Sequence, residues 1–318
     1  MITNSIIAYG DRLGAQMSTL ANLIYIAEEN KQQIVFYDEI KGFRRHLQFF
    51  DVFDMGDYVK LIQRYENIIP SIYSLQFKKK NGGGGGSFKR IYKSKLLGYF
   101  DAIYLRFIRL RYRDFHRITT LKGNIHCDSS LLQLDPAKSY DIMSGFGTYR
   151  DWSIYEEKIR SLFAFKKEIV EEGNRIFAEY KAPITKDIVG VHFRKTDYLI
   201  MSSLNLGREY YKNALQYFNA NNCKLLIFSD DIELCKREAV FAGLDIDYAT
   251  AHSDAIDMYL MTLCDHMIIA NSSFSFWGAF LSKNKNHTVI CPKNFIGEND
   301  IEHSYINGNW YPTTWIAI

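Results

Sequence analysis

The chain has 318 residues, of which 47% are hydrophobic, 15% aromatic and 24% charged. This balance excludes a disordered chain, a collagen-like repeat and a coiled coil. The formal net charge of +3 gives no electrostatic reason to expect a nucleic-acid partner. At about 150 residues per domain, the length favours two domains.

Cysteine spacing and the absence of targeting signals indicate the compartment. No Cys-x-x-Cys pair and no zinc-type Cys/His spacing occurs, so we expect free, buried thiols in a reducing environment. No apolar run reaches the ~18 residues of a membrane span, and the first residues do not resemble a signal peptide. A soluble, cytoplasmic protein is therefore expected. The five cysteines are Cys127, Cys223, Cys235, Cys264 and Cys291.

The N-terminal half opens with a pattern typical of a βαβ unit. Residues 5–38 read as strand, glycine turn, helix and strand. Residues 43–177 are predicted to be mainly helical and basic. Within them, residues 82–87 form a glycine-serine run that we interpret as an engineered linker in place of a mobile loop.

A second feature of the N-terminal half is the segment from Tyr104 to Arg117, which is rich in arginine and aromatic residues. If it were helical, its arginines would share one side. A solvated face is the simpler interpretation. Contact with anionic lipid or a lipid-linked glycan is the functional one, and it would place the protein peripherally at the inner membrane. The arginines concerned are Arg106, Arg109, Arg113 and Arg117.

The C-terminal half alternates strands and helices, which predicts a parallel sheet covered on both faces, as in a Rossmann-like fold. A weak boundary near Pro183 predicts domains at 1–180 and 181–318. The predicted strands are 188–193, 224–231, 245–250, 266–271 and 287–292. The predicted helices are 209–219, 232–241, a helix capped by Ser253 or Asp254 and running towards Asp265, and 276–283.

Three polar clusters follow predicted strands, at 192–198, 229–231 and 271–275. Because ligands of open α/β sheets bind at the carboxyl ends of strands, we expect one shared site. Arg194 and Lys195 would supply positive charge, and serines at a helix start would supply hydroxyls and free N–H groups, a combination suited to a diphosphate. Asp230 and Asp231 suit hydrogen-bond donors such as ribose hydroxyls or a guanine edge. The simpler alternative is that the serines only cap the helix.

These segments resemble a known family. HFRKTDY, FSDDIELCK, DMYLMTLCDHMIIANSSFSFWGAFL and VICPKNF, in this order, resemble the bacterial α-1,2-fucosyltransferases. They are more distantly similar to protein O-fucosyltransferases and α-1,6-fucosyltransferases. The resemblance is clear over residues 188–296, and DRLGAQM at 11–17 is similar to the family's N-terminal glycine turn.

The resemblance implies a GT-B architecture, in which two Rossmann-like domains face each other across a cleft. The C-terminal domain would hold a GDP-sugar donor, and an oligosaccharide or lipid-linked glycan acceptor would enter from the N-terminal side. The implied reaction is an inverting, metal-independent transfer of L-fucose from GDP-L-fucose, α-1,2 to a terminal galactoside. No cofactor is expected beyond this donor substrate.

The resemblance also implies residue roles. Arg194 would neutralise the leaving β-phosphate, and His192 and Asp197 occupy the other fixed positions of the same motif, so these three are the expected catalytic residues. Asp11, His192 and Asp197 remain open as the proton acceptor. The expected donor contacts are Arg12, Gly14, His192, Arg194, Asp230, Asp231, Ser272, Ser273, Phe274 and Ser275.

Several positions depart from the family pattern. Lys195 stands where the family has arginine, Ala15 where it has asparagine, and Phe276 where it has tryptophan. These changes leave open another GDP-linked deoxy sugar, or a nucleotide- or carbohydrate-binding module without turnover. Asp245 and Asp247 form an Asp-x-Asp pair of the kind that binds divalent ions, but the family pattern does not require it, so no metal is expected.

Overall fold

A computed structural model describes most of the chain. The described residues are 1–7, 11–37, 46–62, 110, 112–118, 129–143, 148–181, 185–194, 206–219, 221–250, 252–295 and 310–318. The glycine-serine run at 82–87, Cys127, Lys195 and Asp197 lie outside them. The other four cysteines are free and buried, as expected.

The described strands form two parallel sheets, one from each half of the chain. The first sheet has the order β3-β2-β1-β5-β4, and the second has the order β11-β10-β9-β6-β7-β8. Every pairing within them is parallel. The strands are β1 Ile2–Thr3, β2 Ile34–Tyr37, β3 Val59–Ile62, β4 His116–Ile118, β5 Tyr140–Ile142, β6 Asp187–His192, β7 Cys223–Phe228, β8 Ile246–Tyr248, β9 His266–Ile268, β10 Val289–Cys291 and β11 Ile316–Ala317.

Helices connect and cover these strands. None of the helices in the described part of the chain has the length and apolar character needed to cross a membrane. The α-helices are α1 Leu13–Asn30, α2 Phe49–Val52, α3 Tyr149–Trp152, α4 Glu156–Leu162, α5 Lys167–Lys181, α6 Arg208–Leu215, α7 Ile232–Cys235, α8 Asp254–Leu263 and α9 Ser273–Phe280. The predicted boundary after residue 180 falls between the two sheets and stays a prediction.

The apolar core runs continuously from one half into the other. Met17 and Leu20 of α1 share a buried cluster with Phe276, Trp277 and Phe280 of α9. Helix α1 carries apolar or small residues on nearly all sides and is buried along most of its length, so it serves as a central helix rather than an outer one. As a result, α9 is held by residues from both ends of the sequence.

In each sheet, the direction in which successive strands are added reverses beside the first strand. In the first sheet, β2 and β3 lie on one side of β1, while β4 lies at the opposite edge and β5 lies between β4 and β1. In the second sheet, β7 and β8 lie on one side of β6, and β9, β10 and β11 lie on the other. Crevices outside the carboxyl ends of strands at such points bind ligands in open α/β sheets. The β1/β5 and β6/β9 edges are therefore where a site is expected.

The predicted elements of the C-terminal half are confirmed with small shifts, while the predicted position of the first N-terminal strand is wrong. The first strand is Ile2–Thr3, ahead of the predicted position, and residues 5–7 form a turn. The described part of the segment predicted as mainly helical contains α2, α3, α4 and most of α5, together with three short strands, β3, β4 and β5. Each of these strands has only three or four residues, so no strand-length apolar run marks it in the sequence.

The arginine-rich segment is also not one helix as far as the structure describes it. Arg117 lies in β4, opposite Asp141 of β5, and its guanidinium lies 3.6 Å from the buried Asp141 carboxylate. Asp141 is held further by the main-chain N–H and the hydroxyl of Ser5. Arg113 lies in a turn and pairs with Asp114. The predicted shared face of Arg113 and Arg117 is therefore wrong, because Arg117 balances a buried carboxylate instead.

Candidate active site

The two most characteristic polar clusters meet at the β6/β9 edge of the second sheet. His192 ends β6 and Arg194 follows it, while Asn271 and Ser272 follow β9. Strands β6 and β9 are neighbours, with Val191 paired to Ile268. The register of the sheet therefore brings the two clusters side by side at the point where the chain reverses direction.

Arg194 and Ser272 are in direct contact. The Arg194 Nη1 group donates to the Ser272 hydroxyl at 3.3 Å. Ser272 occupies the N-cap position of α9, yet its side chain does not cap the helix. The simpler interpretation of this serine as a cap is therefore wrong: its hydroxyl serves the arginine, and the N–H groups of the first turn of α9 are left for another acceptor.

Two other predicted donor contacts, Ser275 and Asp231, form hydrogen bonds within the protein. The Ser275 hydroxyl is fully buried and faces the carbonyl oxygens of Ala270 and Ser272 at 3.4 and 3.3 Å. Asp231 caps α7, where its Oδ1 accepts from the Leu234 N–H at 2.9 Å. Both residues shape the carboxyl edge of the sheet. Asp230, beside them, is exposed at that edge.

Gly14 brings the N-terminal turn against the start of α9. A Cβ atom at Gly14 would lie 2.5 Å from the Phe274 nitrogen and 2.8 Å from the Ser273 carbonyl carbon. Both of these are backbone atoms, so no side-chain movement could relieve the overlap. Glycine is required here because two backbones from opposite ends of the chain touch.

The contact at Gly14 places two helix N-termini next to each other. Helix α1 starts at Leu13, with the exposed Arg12 at its N-cap, and α9 starts at Ser273. Neither first turn contains an acidic residue. The positive ends of both helix dipoles and their free N–H groups therefore lie near Arg194 and Ser272, and such an arrangement is suited to an anion.

Gln16 fixes the loops of the first sheet, a role that sequence analysis missed. Its buried amide nitrogen donates to the carbonyl oxygens of Asp11 and His46, both at 3.0 Å. Its carbonyl oxygen accepts from the Gln48 N–H at 3.0 Å. One side chain thus ties the loops after β1 and β2 together. The sequence signal was a glutamine within an otherwise apolar helical stretch.

The described candidates for a proton acceptor are Asp11 and His192. Burial raises the pKa of the Asp11 carboxyl to about 6. His192 is 6% exposed, and its ring centroid lies 5.9 Å from that of Phe274 in the first turn of α9. Its backbone oxygen accepts from the Tyr211 hydroxyl at 3.1 Å, which fixes the end of β6. The third candidate, Asp197, lies outside the described residues.

A carboxylate-imidazole pair past the end of β8 was not predicted. The His252 Nδ1 lies 3.0 Å from an oxygen of Asp257 in the first turn of α8. Burial raises the pKa of the Asp257 carboxyl to about 6, against the lowering effect of the neighbouring imidazole. Ser253 caps α8 through a bond from the Ile256 N–H, as expected. The only available signal was an aspartate in the first turn of a predicted helix.

The two aspartates of the Asp-x-Asp pair each form an ion pair with a lysine. Asp245, at the amino end of β8, bonds to Lys186 at 2.9 Å, and Asp247 within β8 forms an ion pair with Lys224. The amino end of a parallel strand is the edge opposite the one where Arg194 lies. These carboxylates are therefore paired with lysines and lie away from Arg194.

Comparison with known proteins gives a family match. Residues 138–317, more than half of the chain, match the model of Glycosyl transferase family 11. An α-1,2-colitosyltransferase of Escherichia coli is 35% identical over 114 residues, covering 33% of this chain and 39% of that protein. The galactoside α-(1,2)-fucosyltransferase 1 of Homo sapiens is 28% identical over 157 residues, covering 44% and 42%. The chain spans less than half the length of these two relatives.

One solved structure supports the architecture. The crystal structure of POFUT1 in its apo form aligns with a TM-score of 0.51 at 12% identity, covering 91% of this chain and 96% of that one. At this identity the likeness concerns the fold alone. The structure has two parallel sheets flanked by helices in a GT-B-like arrangement, which confirms the fold predicted from the sequence.

Proposed function

This chain belongs to glycosyl transferase family 11, and from that premise we propose that it transfers L-fucose from GDP-L-fucose to a hydroxyl of a glycan. We further propose an α-1,2 linkage to a terminal galactoside. The observation that carries the proposal is the anion site itself: Arg194 and Ser272 lie beside two helix N-termini that meet at Gly14 and Phe274. That site suits the diphosphate of a nucleotide sugar.

The proposed reaction breaks the bond between the sugar C1 and the β-phosphate oxygen. The acceptor oxygen forms the new bond to C1 from the opposite face, GDP departs with the bonding electrons, and the acceptor proton passes to a base. Negative charge grows on the departing diphosphate as positive charge develops on the sugar. Arg194 and the N–H groups of α1 and α9 are the groups that would stabilise it.

Among the described candidates, Asp11 is the stronger choice for the base. It follows the carboxyl end of β1, on the N-terminal side where the acceptor would enter, and its pKa of about 6 is close to a neutral operating pH. His192 is the better candidate for packing beside the nucleotide, because its nearly buried ring lies against Phe274.

The alternative donor is a GDP-linked deoxy sugar other than GDP-fucose. The colitosyltransferase resemblance favours it, together with Lys195 and Ala15 at positions where the fucosyltransferase pattern has arginine and asparagine. Lysine preserves positive charge but not the two-pronged geometry of a guanidinium. The proposal for the diphosphate is the same for either donor.

The proposal is tested by incubating the protein with GDP-fucose and a β-galactoside and measuring GDP release, with the product linkage determined by NMR. We expect α-1,2-fucosylated product, with the rate unchanged by EDTA. Turnover with a different GDP-deoxy sugar only would replace fucose as the donor. GDP binding without turnover of any donor would identify a binding module, and EDTA-sensitive activity restored by Mn²⁺ would contradict the metal-independent mechanism.

A further inference from the structure

Helix α9 contacts the N-terminal half of the chain at three places. At its start, Gly14 lies against the Phe274 backbone. Near its middle, the Trp277 indole N–H donates to the Ser18 hydroxyl at 3.1 Å. At its end, the Arg160 guanidinium donates to the Phe280 carbonyl oxygen and lies 4.0 Å above the Phe280 ring. The helix that would face the diphosphate therefore takes its position from residues distant in sequence.

The hydrogen-bond direction at Ser18 is fixed by chemistry. An indole nitrogen can only donate, so the Ser18 oxygen must accept from Trp277. The single hydroxyl proton is then available to the Gly14 carbonyl oxygen, 3.2 Å away. Ser18 is 3% exposed, so water does not compete for these bonds. Trp277, Ser18 and Gly14 thus form one directed chain of hydrogen bonds.

Trp277 is the fixed end of this chain. Its indole is fully buried, stacks on Trp152 with a centroid distance of 5.4 Å and an interplanar angle of 14°, and meets the Phe163 ring edge-on at 5.0 Å. Rings packed on several sides leave Trp277 no alternative position. Loss of the Ser18 hydroxyl would therefore release the first turn of α1 rather than move Trp277.

We propose that Ser18 is a positioning residue for donor binding. Its hydroxyl holds the first turn of α1 against the Ser273–Phe274 backbone, so that the two helix N-termini are aligned on the diphosphate before the donor arrives. The inference rests on the proposed function in taking the donor to be a GDP-sugar. It adds that the two halves are joined at this point, and that donor affinity depends on a hydroxyl that does not touch the donor.

The test is Ser18→Ala, with Trp277→Phe as a second deletion of the same bond. We expect the Kd for GDP, measured by calorimetry, and the KM for GDP-fucose to rise about five- to tenfold in each variant. The KM for a β-galactoside acceptor should rise less than the KM for GDP-fucose, because the bond holds the two helix N-termini that would face the diphosphate. Ser282→Ala, which removes another buried hydroxyl at the far end of α9, is the matched control and leaves the Kd for GDP unchanged.

The double variant separates positioning from general loss of packing. If loss of the Trp277–Ser18 hydrogen bond causes the weaker GDP binding in both single variants, Ser18→Ala combined with Trp277→Phe weakens GDP binding no more than either single change. Unchanged GDP affinity in Ser18→Ala, or fully additive losses in the double variant, would overturn the proposal. If the wild type binds GDP but turns over no GDP-fucose, the proposed function fails, while the GDP measurements still decide the role of Ser18.

Discussion

Arg194 and Ser272 are joined by a hydrogen bond of 3.3 Å that spans 78 positions of the sequence. The bond links the end of β6 to the turn before α9, and so crosses the point at which the second sheet changes direction. It also sets the guanidinium beside the free N–H groups of α9. This pairing is the part of the site whose disruption has the clearest expected consequence.

Replacing Arg194 by alanine should reduce kcat by about 10²–10³-fold, because a fixed charge directed at a developing oxyanion contributes about 3–4 kcal/mol to the transition state. The fold should persist, since Arg194 is only half-buried and the loss of one hydrogen bond costs about 1 kcal/mol. Steady-state GDP release and thermal unfolding measure the two effects separately.

The control for this prediction is Arg175→Ala. Arg175 lies on the exposed side of α5, where it pairs with Glu172 and Glu179, and its removal should leave turnover unchanged. Lysine at position 194 should recover part of the lost rate, since it restores charge without the planar fork. An Arg194→Ala variant that kept more than a tenth of the wild-type kcat would contradict the assigned role.

The second sheet was predictable from the sequence because its central strands are buried on both faces. Residues 188–191 and 225–228 are continuous apolar runs, which is the pattern of a parallel strand between helices. Strand β11, with only two residues at the edge of the sheet, offers no such run. The polar clusters after β6 and β9 could be assigned to one edge because the alternation of strands and helices determines which ends meet.

The first sheet could not be predicted in the same way. Strand β5 is Tyr140–Ile142, and its central residue is a buried aspartate that accepts hydrogen bonds from Ser5 and lies 3.6 Å from the Arg117 guanidinium. Aspartate is disfavoured in strands, and a buried carboxylate needs hydrogen-bonding or charged partners that come close only in the folded protein. The role of Gly14 was hidden for the same reason: the atoms it avoids are 260 positions away in the chain.

Gly14→Ala should weaken GDP binding by about tenfold or more. The new Cβ would lie 2.5 Å from the Phe274 nitrogen, so the two turns must separate, and overpacking of this kind costs about 1–3 kcal/mol. Calorimetry with GDP measures the change. Gly207→Ala is the matched substitution, because its nearest neighbour would be 4.0 Å away; equal effects in the two variants would show that the contact at Gly14 is not the cause.

Gln16→Leu should lower the free energy of unfolding by about 2–4 kcal/mol, because it leaves the carbonyl oxygens of Asp11 and His46 and the N–H of Gln48 without their partner. It should also weaken GDP binding, since the loop that carries Asp11 leads into the first turn of α1. Urea denaturation and GDP titration provide the two measurements.

Gln33→Leu serves as the comparison for Gln16→Leu. The Gln33 amide also bonds to backbone carbonyl oxygens, those of Ile34, Asp57 and Tyr58, but at the amino end of β2, away from the candidate site. Its loss should affect stability and leave GDP affinity intact. Equal losses of GDP affinity in both variants would mean that Gln16 acts only through overall stability.

Asp11 links pH, stability and activity. Its pKa is raised from 3.8 to about 6 in the folded protein because burial disfavours the charged form. The folded state therefore holds the proton more tightly than the unfolded state, so the contribution of Asp11 to the unfolding free energy falls as pH rises from about 4 to about 6, then stays constant. The full effect corresponds to at most about 3 kcal/mol, reduced to about 1–2 kcal/mol by partial exposure.

Asp11→Asn should therefore stabilise the protein at pH 8 by about 1–2 kcal/mol and much less at pH 4, because asparagine is neutral at both. If Asp11 is the base, the same variant loses most of its turnover, and the wild-type kcat falls as pH drops below about 6. Urea denaturation at both pH values and a pH–rate profile measure these effects, with the exposed Asp57→Asn as control. A more stable yet inactive variant would identify a carboxylate kept for chemistry at the expense of the fold; a stabilised variant with full activity would remove Asp11 from the reaction.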